Sequence, residues 1–139
     1  DGGGYICYSP VGSLADGTEA VTASQVSGPD TYGYGLVFRE VSKGNYYVLV
    51  IDANSKWAFY KSVGNHLTAL QPFTVNAAIT GGLNTKNTIA VTMTGSTFDC
   101  YVNGQQMGTI HDGTYAEGQW GLSASPGVNV VFTNYLAKV

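Results

Sequence analysis

The stretch from Tyr32 to Lys61, YGYGLVFREVSKGNYYVLVIDANSKWAFYK, constrains the fold more than any other part of this chain. It contains three apolar runs, each alternating with a period of two. Tyr32, Tyr34, Leu36, Phe38 and Glu40 share one parity; Tyr47, Leu49 and Ile51 share a second; Trp57, Phe59 and Lys61 share a third. Side chains alternate between the two faces of a strand, so each set points to one side of a sheet. The breaks at Lys43-Gly44 and at Asp52-Ala53-Asn54-Ser55 carry turn-forming residues. This pattern predicts a three-stranded antiparallel meander, the middle of a larger β-sandwich. The opposite parity, Tyr46, Val48 and Val50 with Ala58 and Tyr60, is also apolar. A second apolar face is expected where a sheet is covered on both sides or forms a ligand groove.

The rest of the chain repeats the theme in shorter units. Tyr5 to Tyr8 reads as a short strand closed by Ser9-Pro10, and Val11 to Thr18 as a polar loop. Glu19 to Ser27 reads as a strand ended by Ser27-Gly28-Pro29-Asp30. After the meander, Leu67 to Leu70 is a short extended piece, Pro72 interrupts it, and Phe73 to Ile79 is loop or edge structure. Thr85 to Thr94 is a strand. Thr97 to Val102 pairs back on it, with Phe98, Cys100 and Val102 inward and Asp99 and Tyr101 outward. Asn103-Gly104 is the sharpest hairpin signal, because both turn positions need positive φ. Gln105 to Ile110, Gln119 to Ser125 and Val128 to Val139 complete the series, with a bulge or twist expected near Tyr135. Roughly ten to twelve short strands and no helix predict a sandwich or barrel.

Composition narrows the partners. The 139 residues suffice for one domain with a real core. Charged residues make up only 11%, and six Lys plus Arg against nine Asp plus Glu give a net charge of -3. Nucleic acid is excluded, since it needs clustered cations to displace phosphate counterions. No apolar run is long enough to predict a helix inserted in a membrane. The abrupt start at Asp1-Gly2-Gly3-Gly4 predicts a domain excised from a longer protein. Cys7 and Cys100 allow either one disulfide or two free thiols.

Residues suited to catalysis are scattered. A glycosidase needs two carboxylates flanking the scissile bond. Glu40 and Asp52, near strand ends in the meander, are the pair to test, and alternation puts them on opposite faces. Each also reads as a turn residue. His66 and His111 fall in loops without zinc spacing, and no catalytic or metal-ligating residue is assigned. Asp112-Gly113 and Asp52-Ala53-Asn54 are turn signatures first, and calcium is the one cofactor left open. The aromatics are the better lead. Once the core has taken its share, Tyr46, Tyr60 and Tyr101 remain on the outward parity. Phenol rings stack on the C–H faces of sugars while Asn and Gln amides bond the hydroxyls. Ordinary strand propensity of Tyr and Val is the competing explanation.

Taken in order, YGYGLVFRE, NYYVLVIDANSKWAFYK, KNTIAVTMTGSTFDCYVNGQQMGTIHDG, QWGLSAS and VVFTNYLAKV resemble the concanavalin A-like lectin/glucanase superfamily. The likeness is to the branch holding 3-keto-disaccharide hydrolase-like (DUF1080) and laminin-G-like modules, and it runs from about Glu19 to Val139. It implies an all-β jelly-roll sandwich of two antiparallel sheets. It also implies a bacterial, extracellular or cell-surface setting, with oligo- or polysaccharide and neighbouring domains as partners. The superfamily's glucanases carry a Glu-x-Asp-x-x-Glu strand that is absent here; Glu19, Glu40 and Glu117 stand apart in sequence. The expected function is therefore a non-catalytic carbohydrate-binding or adhesion-type module. A saccharide hydrolase and a structural or protein-binding sensor domain are the alternatives.

Overall fold

The computed structural model describes the backbone from Tyr5 to Val139 and the side chains from Ser13 onward. The described residues form eleven strands: β1 (Tyr5–Leu14), β2 (Gly17–Ser27), β3 (Tyr34–Ser42), β4 (Asn45–Ile51), β5 (Lys56–Val63), β6 (His66–Val75), β7 (Asn87–Thr94), β8 (Thr97–Val102), β9 (Gln105–His111), β10 (Gly118–Ala124) and β11 (Asn129–Lys138). They form two antiparallel sheets in the jelly-roll manner. One has six strands in the order β1-β10-β3-β4-β5-β6; the other has five, in the order β11-β2-β7-β8-β9. The meander is β3 to β5, central in the six-stranded sheet. Asn103 and Gly104 both take positive φ, as the hairpin signal required.

The core lies between the sheets. From the six-stranded side come Tyr34, Leu36, Phe38, Tyr47, Leu49, Ile51, Trp57, Phe59 and Trp120; from the other come Val21, Ile89, Val91, Met93, Phe98, Cys100 and Val102. Phe98 bridges the layers, with ring centroids 5.7 Å from Phe38, 4.8 Å from Tyr47 and 5.5 Å from Phe59. These tilted ring contacts add to the area they bury. The sheets approach closely beside Trp57 because β9 carries Gly108 there: a Cβ at Gly108 would lie 3.0 Å from the indole.

Four sequence expectations needed correction. β1 runs on to Leu14 by way of a register shift between Tyr8 and Ser13, so no long polar loop spans 11–18. β6 is continuous through Pro72 because it is an edge strand, and register shifts opposite Phe59 absorb the missing N–H donor. Tyr32 precedes β3 and is half exposed rather than inward.

The fourth correction is the most consequential. Arg39 has a φ of 50°, and the register slips between Gln119 and Gly121 across from it. This bulge turns Arg39 into the core and puts Glu40 on the outer face, reversing the parity expected for Glu40. Gly118 makes the bulge feasible: a Cβ there would lie 2.4 Å from the Arg39 carbonyl carbon. The Arg39 guanidinium donates to the carbonyls of Ala15, Gly95 and Tyr115, pairs with Asp16 at 3.3 Å and lies 4.9 Å from the centre of the Phe98 ring. Burial lowers its pKa, and Asp16 opposes that shift.

Candidate functional site

The outer face of the six-stranded sheet is organised in rows set by strand register. One row runs Ser123, Gly35, Val50, Ala58 across β10, β3, β4 and β5. The next runs Gly121, Val37, Val48, Tyr60 and on to Ala69 of β6. Val48, Val50 and Ala58 form a second buried apolar cluster, separate from the core, with Tyr46, Tyr60 and Phe73 packed on it. Tyr60 and Phe73 meet edge to face at 6.2 Å. Above this floor opens a groove of about 380 Å³. Its aromatic wall is Tyr32, Tyr46, Tyr60 and Phe73, and its polar rim includes Asn65, Ser123 and Ser125. Gly33 keeps the groove deep, since a Cβ there would lie 2.8 Å from Val50 and 3.3 Å from Phe73.

Two of the three tyrosines singled out from sequence, Tyr46 and Tyr60, thus share one groove. Tyr101 does not join them. It lies on β8, between Ala90 of β7 and Gln106 of β9, on the outer face of the five-stranded sheet. Stacked sheets are about 10 Å apart, so one sugar ring cannot touch both faces. Tyr32 and Phe73 were not foreseen as groove residues. Strict alternation gives Tyr32 the parity of Leu36 and Phe38, and Phe73 follows a proline in a stretch that reads as loop or edge structure.

The sequence-derived carboxylate pair is separated as well. Tyr34 at the start of β3 is opposite Ile51, which places Asp52 at that end, while Glu40 lies six residues along β3. At the rise of a strand the separation is roughly 20 Å, far beyond the carboxylate spacing of a glycosidase. The Asp52 carboxylate accepts from the backbone N–H groups of Asn54 and Lys56, the turn role its sequence suggested. Burial raises its pKa, and those bonds oppose the rise.

Asp112, the other loop carboxylate considered for calcium, is fully engaged. It accepts from the Tyr47 hydroxyl at 2.6 Å and from the Thr114 backbone at 2.9 Å, and it pairs with Lys61 at 3.0 Å. Burial alone would raise its pKa, but these donors overcome that and hold it well below the usual carboxylate range. Tyr115 completes the junction by donating from its hydroxyl to the Ser62 carbonyl at 2.5 Å. This loop is thereby tied to β4 and β5. Among the described residues no group of three His, Cys, Asp or Glu could hold a metal ion. Cys100 is a free, buried thiol; the side chain of Cys7 lies outside the described residues.

A second concavity lies on the same side of the six-stranded sheet, beyond the last apolar row. It is lined by Ser13, Glu40, Val41, Ser42, Lys43, Glu117, Gly118 and Gln119, with a volume of about 620 Å³. Ser13, Gln119 and Glu40 are register partners across β1, β10 and β3 and so present one face. Only the bulge at Arg39, invisible to alternation, brings Glu40 there beside Glu117.

Comparison with known proteins agrees with this architecture. A family model described as concanavalin A-like lectin/glucanases superfamily (Laminin_G_3) matches residues 1–132. No curated protein matches the sequence. Among solved structures, a carbohydrate binding module, CBM66, from Bacillus subtilis is similar over 100% of this chain and 84% of its own, with 21% identity and a TM-score of 0.86. A toad ovary galectin in complex with thio-digalactose is similar over 99% of this chain and 100% of its own, with 11% identity and a TM-score of 0.68. Sheep galectin-11 in complex with glycerol is similar over 97% and 96%, with 8% identity and a TM-score of 0.64. At these identities the likeness establishes the fold.

Proposed function

The chain belongs to the concanavalin A-like lectin/glucanases superfamily, and from that premise we propose that it is a non-catalytic saccharide-binding module whose site is the aromatic groove on the outer face of its six-stranded sheet. The observation that carries this reading is the groove itself. Tyr32, Tyr46, Tyr60 and Phe73 stand over a floor of Val48, Val50 and Ala58 on a face that no other layer of the described residues covers. Single exposed apolar residues are ordinary, but a contiguous aromatic cleft with a polar rim is the form a ligand site takes. The chemistry suits a neutral sugar. Its C–H faces would stack on the phenol and phenyl rings, and its hydroxyls would bond the Asn65 amide and the Ser123 and Ser125 hydroxyls. Affinity at a single site of this kind would be modest and rest on the rings.

Two similar structures, a carbohydrate binding module and a galectin in complex with thio-digalactose, support this class of ligand. The extracellular or cell-surface setting, the laminin-G-like branch and a role in holding neighbouring domains at a polysaccharide belong to the same proposal. Hydrolysis by Glu40 and Asp52 does not, because they occupy opposite ends of the sheet. The test is a panel of soluble glycans and insoluble polysaccharides, with and without calcium, applied to wild type, Tyr60→Ala and Tyr101→Ala. We expect binding to at least one saccharide, weakened about tenfold by Tyr60→Ala and retained by Tyr101→Ala. Folded wild-type protein that binds nothing on the panel overturns the reading in favour of a structural or protein-binding domain.

A further inference from the structure

Glu40 poses a problem that the aromatic groove does not solve. Glu40 is only 6% exposed, and its Oε1 atom is buried without a hydrogen-bond partner among the described residues. A buried carboxylate oxygen with no donor costs free energy. Glu40 nevertheless lines an open cleft, together with Glu117, Ser13 and Gln119. Two carboxylates there face one ammonium, that of Lys43. The ion pairs formed among the described residues, Arg39–Asp16 and Lys61–Asp112, lie elsewhere. The cleft thus has a net negative lining that includes a desolvated carboxylate with one oxygen unpartnered among the described residues.

Its position gives the ligand class. Glu40, Gln119 and Ser13 share the outer face with Val37, Val48 and Tyr60, one step farther along β3. A chain molecule lying across the tyrosines would reach the acidic cleft next. We propose that the cleft is a second subsite of the saccharide face, and that it takes the protonated amine of an amino sugar, with Glu40 as principal acceptor and Glu117 as the second charge. This rests on the saccharide reading of the aromatic groove. An ammonium seated in the cleft donates to the Glu40 carboxylate and also neutralises the lining, whereas a neutral hydroxyl only donates. Hydrogen bonds to charged groups are the stronger kind.

The test is calorimetric titration of wild type, Glu40→Gln, Glu117→Gln and Tyr60→Ala at mildly acidic pH. The probes are the β-1,4-linked hexasaccharide of glucosamine, its N-acetylated counterpart, cellohexaose and a hexalysine peptide. We expect wild type to bind the glucosamine oligomer about tenfold more tightly than the two neutral oligomers. Added salt should erode that preference. Glu40→Gln should abolish it and Glu117→Gln should reduce it, while Tyr60→Ala weakens all three saccharides alike. Equal affinity for the three, or a preference that survives both glutamate variants, overturns the subsite and leaves the groove reading intact. Hexalysine binding as tight as the glucosamine oligomer overturns the sugar assignment. Failure of all three saccharides to bind also overturns the subsite, and the groove then stands or falls on the broad panel.

Discussion

Glu19, Asp112 and Arg39 show how much a single polar side chain can decide inside this sandwich. Glu19 points inward from β2 and is fully buried. Burial pushes its pKa well up; the Tyr135 hydroxyl, which donates to Oε2 at 2.5 Å, and a backbone bond from Gly121 only partly offset this. The folded state therefore holds a proton that the unfolded chain releases near its ordinary pKa. This contribution to stability is fully present below the unfolded pKa and is lost as pH rises through the folded one. Glu19→Gln should flatten that decline in urea melts followed across pH; an unchanged profile would show that Glu19 is ionised in the fold. Asp112 has the opposite sign. Its depressed pKa gives stability above the unfolded value that is lost as pH falls through the folded one. Asp112→Asn should therefore flatten the acid limb and cost about 1–3 kcal/mol near neutrality, where it weakens the tie to Lys61. Arg39→Lys cannot reproduce three carbonyl contacts with a planar fork, and about 2–4 kcal/mol of destabilisation is expected by chemical denaturation.

At the scale of strands, alternation reads correctly wherever the backbone is regular and fails where it is not. β4 and β5 obey a period of two, so both the core set and the outer set with Tyr46 and Tyr60 were legible in the sequence. β8 obeys it too, and its outward Tyr101 was read correctly as outward. Parity says which face of a strand a residue takes, but it does not say which sheet the strand joins. That is why Tyr101 was grouped with tyrosines on the far side of the molecule. The bulge at Arg39 gave no local signal, because an arginine at φ of 50° looks like any strand residue. Alternation therefore puts Glu40 on the wrong face and hides the acidic cleft. The match of the two sheets is testable at Gly108, whose missing side chain admits the Trp57 indole. Gly108→Val should overpack this contact and cost about 1–3 kcal/mol in thermal or urea unfolding. A neutral outcome would mean that β9, an edge strand, moves aside freely.

For the molecule as a whole, the two sheets divide the labour. The five-stranded sheet turns Thr18, Thr22, Thr88 and Thr92 outward, where cross-strand hydroxyl pairs satisfy one another at 3.3 and 3.0 Å. The six-stranded sheet leaves its tyrosines and Phe73 over a cleft. This asymmetry is the basis of the functional account, and side-chain NMR of a titration with the tightest saccharide from the panel tests it most directly. Shifts are expected to concentrate on Tyr32, Tyr46, Tyr60 and Phe73, with Tyr101, Thr88 and Thr92 unmoved. Shifts centred on Tyr101 and the threonines instead would put the ligand on the five-stranded sheet and contradict the account.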